Sequence, residues 1–216
     1  MTFNEFKQEI LDRIKGMEIF PFVHGYVKAT TYTEIIQLFK TADNFEWHFN
    51  NGILDMALIA EVPTADLEAE NIFGGAVSFS DLDNTTIYIL AGGELTLTQT
   101  GTNRCKVYLF GGEMTATASD RSMIELDSYL NSDSHITASD NAMIYANVRG
   151  DSETMIVSGD NTLVKMITLE NGYAKFNDSG NTFLNIEAWD NSKVDIVDAA
   201  HTKIYRRDNA VITDAP

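Results

Sequence analysis

A single cysteine, Cys105, rules out any disulfide within the chain, so packing and hydrogen bonds must hold the fold. Basic side chains are also scarce: 15 Lys and Arg stand against 32 Asp and Glu, a formal charge of −17. That balance argues against a nucleic-acid partner, because phosphate binding is driven by clustered Lys and Arg displacing counterions. No apolar run approaches the ~18 residues a membrane span requires, which argues against a membrane partner. The opening residues MTFNEFKQEILDRIKG lack the uninterrupted apolar stretch of a signal peptide, being broken by Glu5, Lys7, Glu9 and Asp12. A cytoplasmic or particle-borne protein is the expectation. His24, His48, His135 and His201 show no paired metal-ligand spacing, and no lysine follows Gly92-Gly93 or Gly111-Gly112 as in a phosphate loop. Neither a metal nor a cofactor is expected.

What is present suffices for a packed core: 216 residues, 44% of them apolar. Composition shifts near residue 65, where bulky residues at helical spacing give way to short alternating runs punctuated by Asn, Asp and Gly. The boundary falls within 64–75, dividing a helical domain, 1–66, from a repeat domain, 67–216. Five basic and ten acidic side chains lie in the first and ten and 22 in the second, so both are acidic.

In the first segment Thr2 and Glu5 have capping-box spacing, and Phe3, Phe6, Ile10 and Ile14 make one apolar stripe. The spacing predicts a helix over about 3–15, stopped by a left-handed Gly16. A second helix is expected from about 33 to 41, with Thr33 as its cap and Ile35, Ile36, Leu38 and Phe39 inward. Asp43 to Phe49 adds a further turn, ended by Asn51-Gly52. The run Ile53 to Val62, closed by Pro63, reads as a buried helix or a helix-strand transition.

The second segment repeats. Ile124, Ile144, Val164, Leu184 and Ile204 recur at a constant twenty-place step, and Ile136, Ile156, Phe176 and Ile196 keep the same step half a period away. Asn131, Asn141, Asp151, Asn161, Asn171, Asn181, Asn191 and His201 fall at every tenth position, each followed by a small residue or threonine. Alternation within each ten-residue unit is the signature of a strand with one buried face, and Asx residues suit sharp corners. Two units per coil, stacked coil on coil, make a mainly β fold: a β-solenoid (parallel β-helix) of six to seven coils with a small α-helical N-terminal capping domain. At about 4.8 Å per coil the stack is roughly 30 Å long. Ile87 and Val107 keep the twenty-place step, whereas Ile124 follows Val107 by only seventeen places, implying a three-residue shortening at one corner. Arg206, Arg207, Asp208 and Asp214 place charge on the final coil as a terminal cap.

Segments such as SDNAMIYANVRGDSETMIVSGDN and SGNTFLNIEAWDNSKVDIV resemble the tandem β-solenoid arrays of bacterial and phage proteins, in which near-identical strands recur behind a short helical N-terminal domain. The likeness covers about residues 80–214 and implies the fold; such arrays serve as adhesins, tail-fibre parts, carbohydrate-active enzymes and scaffolds. No catalytic residue transfers from it. A phage-particle location is the alternative to the cytoplasm that it suggests.

Among candidate ligand-binding residues, the outward row of the first sheet reads Tyr88, Tyr108, Glu125, Tyr145, Lys165, Asn185 and Tyr205. Tyr88, Tyr108, Tyr145 and Tyr205 could stack against sugar rings, though tyrosine also favours strands for its own sake. Asp195 with Asp178 or Asp198 is the best carboxylate pair for acid-base chemistry or calcium, against a plainer role at corners and in solvent. Cys105 lacks a nucleophile signature and reads as inert. The leading expectation is a non-enzymatic structural or binding repeat protein, adhesin-like or scaffold, with a glycan or protein partner. A second copy of the chain, joined through the solenoid end or face, is a further candidate partner. A polysaccharide-binding or polysaccharide-active β-helix and a phage or mobile-element component are the alternatives.

Overall fold

A computed structural model describes residues 1–15, 17, 23–40, 44–198 and 201–215, with backbone alone at 44, 214 and 215. The chain divides into two compact units, 1–72 and 73–216.

In the first unit α1 (Phe3–Ile14) starts at the expected capping box: the Glu5 carboxylate accepts the Thr2 N–H at 2.7 Å, and Thr2 Oγ1 accepts the Glu5 N–H at 3.4 Å. Phe6, Ile10 and Ile14 are buried, as the stripe requires. The stop expected at Gly16 lies outside the described residues. A short α2 (Val23–Lys28), which no periodic run announces, packs against α1. In α3 (Tyr32–Lys40) Ile35, Ile36 and Phe39 are buried. Its first turn is capped earlier than expected: Thr31 Oγ1 accepts the Glu34 N–H at 3.2 Å, while Thr33 donates its hydroxyl to Asp66. After α4 (Asn44–Asn50) the chain turns at Gly52, whose φ of +67° suits a residue without Cβ. The run from Ile53 contains only the short α5 (Met56–Ile59), where Asp55 caps the Leu58 N–H at 2.7 Å and takes Arg13 at 2.8 Å. Pro63 ends that run and opens α6 (Thr64–Glu68), a position where its missing N–H costs nothing. Among the described residues no helix is long and apolar enough to cross a membrane.

The second unit is a β-solenoid of about seven turns, built from two eight-stranded sheets. The first contains β1 (Ile72–Phe73), β3 (Thr85–Leu90), β5 (Arg104–Phe110), β7 (Met123–Tyr129), β9 (Met143–Val148), β11 (Leu163–Thr168), β13 (Phe183–Ala188) and β15 (His201–Arg206). The second contains β2 (Ala76–Ser80), β4 (Glu94–Gln99), β6 (Glu113–Ala118), β8 (Asp133–Ala138), β10 (Glu153–Ser158), β12 (Tyr173–Asp178), β14 (Lys193–Val197) and β16 (Val211–Ala215). The chain alternates between sheets, so each strand pairs in parallel with the strand two elements on.

Inward columns follow the expected twenty-place step over most of the stack. Ile124, Ile144, Val164 and Leu184 pair in register in the first sheet, and Ile136, Ile156, Phe176 and Ile196 in the second. All eight are buried. Two registers differ from expectation. Val107 pairs with Leu126 and Cys105 with Ile124, so this coil is one residue shorter than the repeat, not three. Ile204 pairs with Ile186, while Thr202 continues the Leu184 column, because the last coil of this sheet is two residues short. In each case the corners absorb the loss, since a one-residue slip within a strand would turn every inward side chain outward.

The corners are built from two adjacent positions. Ser132, Ala142, Ser152, Thr162, Thr182 and Ser192, the small residues after the Asx row, are buried where the two sheets converge. The left-handed residue is the one before the Asx: Asp140, Asp160, Glu170 and Asp190 have φ between 57° and 59°, as does Asp120 before Arg121 at 60°, whereas within the Asx row Asn131 alone has a positive φ among the described residues. The corner carboxylates also bridge coils. Asp140 accepts the N–H of Asp120, Asp160 that of Asp140, and Asp190 that of Glu170, at 3.1–3.3 Å. At the glycine pairs, a Cβ on Gly112 would lie 2.5 Å from Ile89 and one on Gly93 2.9 Å from it, so the second glycine of each pair admits no side chain without a shift of its neighbours.

Candidate functional site

Strand alternation sends every second residue outward, and the register sorts those residues into columns along the coil axis. On the first sheet one column reads Thr86, Lys106, Glu125, Tyr145, Lys165, Asn185 and Lys203. Its neighbour reads Tyr88, Tyr108, Asp127, Asn147, Ile167, Glu187 and Tyr205. The single tyrosine ladder expected from sequence is therefore two columns. The coil between β5 and β7 lacks one residue rather than three, which shifts every later residue by two places and moves Tyr145 out of line with Tyr88 and Tyr108.

The four tyrosines have different surroundings. Tyr88 and Tyr108 stack at 5.0 Å with planes 8° apart, each is only 5% exposed, and Lys106 Nζ sits 4.4 Å over the Tyr108 ring. Their faces are already used. Tyr145 is half-buried and lines a shallow depression of about 280 Å³ with Met123, Glu125, Asn147, Lys165 and Ile167. A second depression of about 260 Å³ shares Glu125 and includes Thr86, Arg104 and Lys106, so an open groove follows this column. Tyr205 is 47% exposed, with Lys203 5.0 Å over its ring. Tyr88 and Tyr108 are thus brought together, while Asp127, Asn147, Ile167 and Glu187 separate them from Tyr205.

Sequence reasoning missed a further aromatic row beside these columns. Phe110 and Tyr129 stack at 5.0 Å, the Arg149 guanidinium lies 5.5 Å over Tyr129, and Arg207 lies 4.4 Å over Trp189. At the opposite margin of the same face Met143, Leu163, Phe183 and His201 align, with Phe183 58% exposed and its ring stacked on His201 at 5.4 Å. Both rows recur once per coil, a period legible once the shorter coils are placed.

The carboxylates singled out from sequence are divided between the two sides of the second sheet. Asp178 points inward and accepts bonds from Ser158 Oγ, the Gly180 N–H and Thr182 Oγ1. Asp195 points outward, accepting from the Tyr173 hydroxyl at 2.7 Å and from Lys193 at 3.0 Å. These bonds hold Asp195 below the usual carboxylate range, and the bond to Asp195, together with burial, pushes the Tyr173 phenol up to about 12. Asp198 adopts a left-handed corner conformation. Cys105 itself fills an inward position, and burial pushes its thiol up to about 12, away from thiolate chemistry at neutral pH. His48 is buried in the helical unit with Nε2 2.6 Å from the Tyr26 hydroxyl, and His135 lies on the outer face of the second sheet. Among the described residues no group of three His, Cys, Asp or Glu could hold a metal ion.

No protein-family model, no curated protein and no solved structure matches this chain.

Proposed function

We propose that the chain is a non-enzymatic structural or binding repeat protein, whose solenoid holds surface side chains in fixed columns for contact with a partner. The observation that carries this reading is the outer face of the first sheet from β9 to β15. There Tyr145, Phe183, Trp189 and Tyr205 alternate with Lys165, Lys203 and Arg207 at the fixed spacing of a parallel ladder. A parallel ladder fixes the backbone and the spacing of its columns before binding, so weak contacts sum without a further cost of ordering the backbone. The best carboxylates are engaged elsewhere, Asp178 inside the stack and Asp195 with Tyr173 and Lys193, which favours a binding role over acid-base catalysis.

Within this reading a glycan is one partner class, because Tyr145 and Tyr205 offer apolar ring faces with a hydroxyl at the edge. The resemblance to bacterial and phage solenoid arrays suggests a surface or particle component as the setting, with the cytoplasm as the other compartment. A glycan-array screen of the intact protein, repeated on a Tyr145→Ala, Tyr205→Ala double variant, tests it. Selective binding that the variant loses supports a sugar-binding face; turnover of the bound glycan would overturn the non-enzymatic reading. Silence on the array removes the glycan and leaves a protein partner.

A further inference from the structure

Two stretches of the solenoid surface, one on each sheet and in different coils, carry opposite charge. On the first sheet, the columns from β9 to β15 present Arg149, Lys165, Lys203 and Arg207 against one carboxylate, Glu187. Beside them are the exposed apolar side chains of Leu163, Phe183 and Tyr205. This is a basic and aromatic surface on a chain whose formal charge is −17.

The second sheet shows the complement from β4 to β10. Glu94, Glu113, Asp133 and Glu153 pair directly in register, so four exposed carboxylates form one row. None of the four side chains takes part in a hydrogen bond or ion pair among the described residues. Successive members are about 4.8 Å apart, and like charges placed side by side on a sheet destabilise it. The threonines beside them, Thr96 and Thr115, are exposed and carry no compensating charge.

We infer that the occupant of the basic, aromatic face is a second copy of this chain, presenting its acidic row, so that copies associate face to back in a stagger of about three coils. The inference rests on the binding-scaffold reading and names its partner. Both rows run along the coil axis, so two copies with aligned axes bring Lys165 and Lys203, two coils apart, over the carboxylate ladder. The contact uses a different surface on each copy, is therefore heterologous, and repeats as an open series rather than closing as a two-fold dimer. Four strands at about 4.8 Å by six residues at about 3.3 Å give about 400 Å² per face, or about 800 Å² in all, an area typical of weak encounters. Association is accordingly expected at high protein concentration and low salt, driven by charge that salt screens.

Sedimentation of the intact chain over a concentration series tests this, in about 0.02 M and about 0.5 M salt. At low salt the weight-average mass is expected to climb past twice the 24.0 kDa monomer, and at high salt to return to the monomer. The Lys165→Glu, Lys203→Glu variant and the Glu113→Lys, Asp133→Lys variant should each remain monomeric alone, yet an equimolar mixture should associate again, because one wild-type pair of faces is restored. Circular dichroism melts check that both variants are folded, and the mixture supplies a gain that a folding defect would not produce. A monomer under all conditions, association that persists at high salt, or a mixture that stays monomeric would overturn the inference. If the chain stays monomeric but binds an anionic glycan through the first sheet, the second copy is wrong as occupant and the scaffold reading stands.

Discussion

Glycine and aspartate act most specifically at the corners. A methyl group on Gly112 would meet Ile89 at 2.5 Å and the Leu90 carbonyl oxygen at 2.8 Å, whereas one on Gly74 meets nothing within 4 Å. Gly112→Ala is therefore expected to cost about 1–3 kcal/mol through overpacking, and Gly74→Ala far less, measured as shifts in urea midpoint. Asp140 separates two contributions at one site, a left-handed backbone at φ 58° and a carboxylate that accepts the Asp120 N–H. Asp140→Gly relieves the first and removes the second together with the bond from Ser139 Oγ, so a net loss of stability in urea melts would mean that the carboxylate's bonds and the freedom glycine adds to the unfolded chain outweigh the strain relieved. The phenol of Tyr173 is raised by its bond to Asp195, so the folded state holds that proton more tightly than the unfolded chain. This stabilisation is present below the ordinary tyrosine value of about 10 and fades as pH rises towards about 12. Ultraviolet titration should show Tyr173 moving back towards the ordinary range in Asp195→Asn. Single residues of this kind were only partly legible in the sequence: glycine pairs announced corners, but the left-handed position proved to be the residue before the Asx row, since both carry turn-forming side chains.

At the scale of elements, alternation is a strong signal and spacing a weaker one. The columns through Ile144 and Ile156 could be read from the sequence because an inward apolar residue at every twentieth place has no simpler explanation than a stacked coil. Val164→Asp would put a carboxylate into that stack, where Val164 is fully buried, and should cost several kcal/mol. An unchanged melting temperature in that variant would contradict the assigned inward face. The register at β5 and β7 was misread because Ile124 and Leu126 are both apolar and both inward, so either could have followed Val107. That ambiguity spread into the candidate site and made two tyrosine columns look like one. The helical unit shows another limit: α2 and α6 are six and five residues long, too short for a helical period to repeat, and their stability comes from what they pack against.

Across the whole solenoid, strands in the middle are bonded on both sides while β15 and β16 end their sheets. Amide exchange followed by mass spectrometry should therefore find the slowest exchange in β7 to β12 and faster exchange in β15 and β16, because opening an outermost coil breaks one set of ladder bonds rather than two. Uniform protection along the stack would mean that it opens only as a single cooperative block. The corner rule, with its left-handed residue followed by a small buried one, also fixes how such a chain can change length. A duplicated segment spanning one full coil, such as 141–160, would meet the same neighbours at both of its ends and leave every downstream residue on its original sheet. A duplicated half coil, such as 141–150, would keep inward residues inward but send each later strand to the opposite sheet, so the basic columns of β11 to β15 would continue the side that carries the acidic row of Glu94, Glu113 and Asp133. Growth or loss by whole turns preserves the surface pattern, and growth by half turns inverts it.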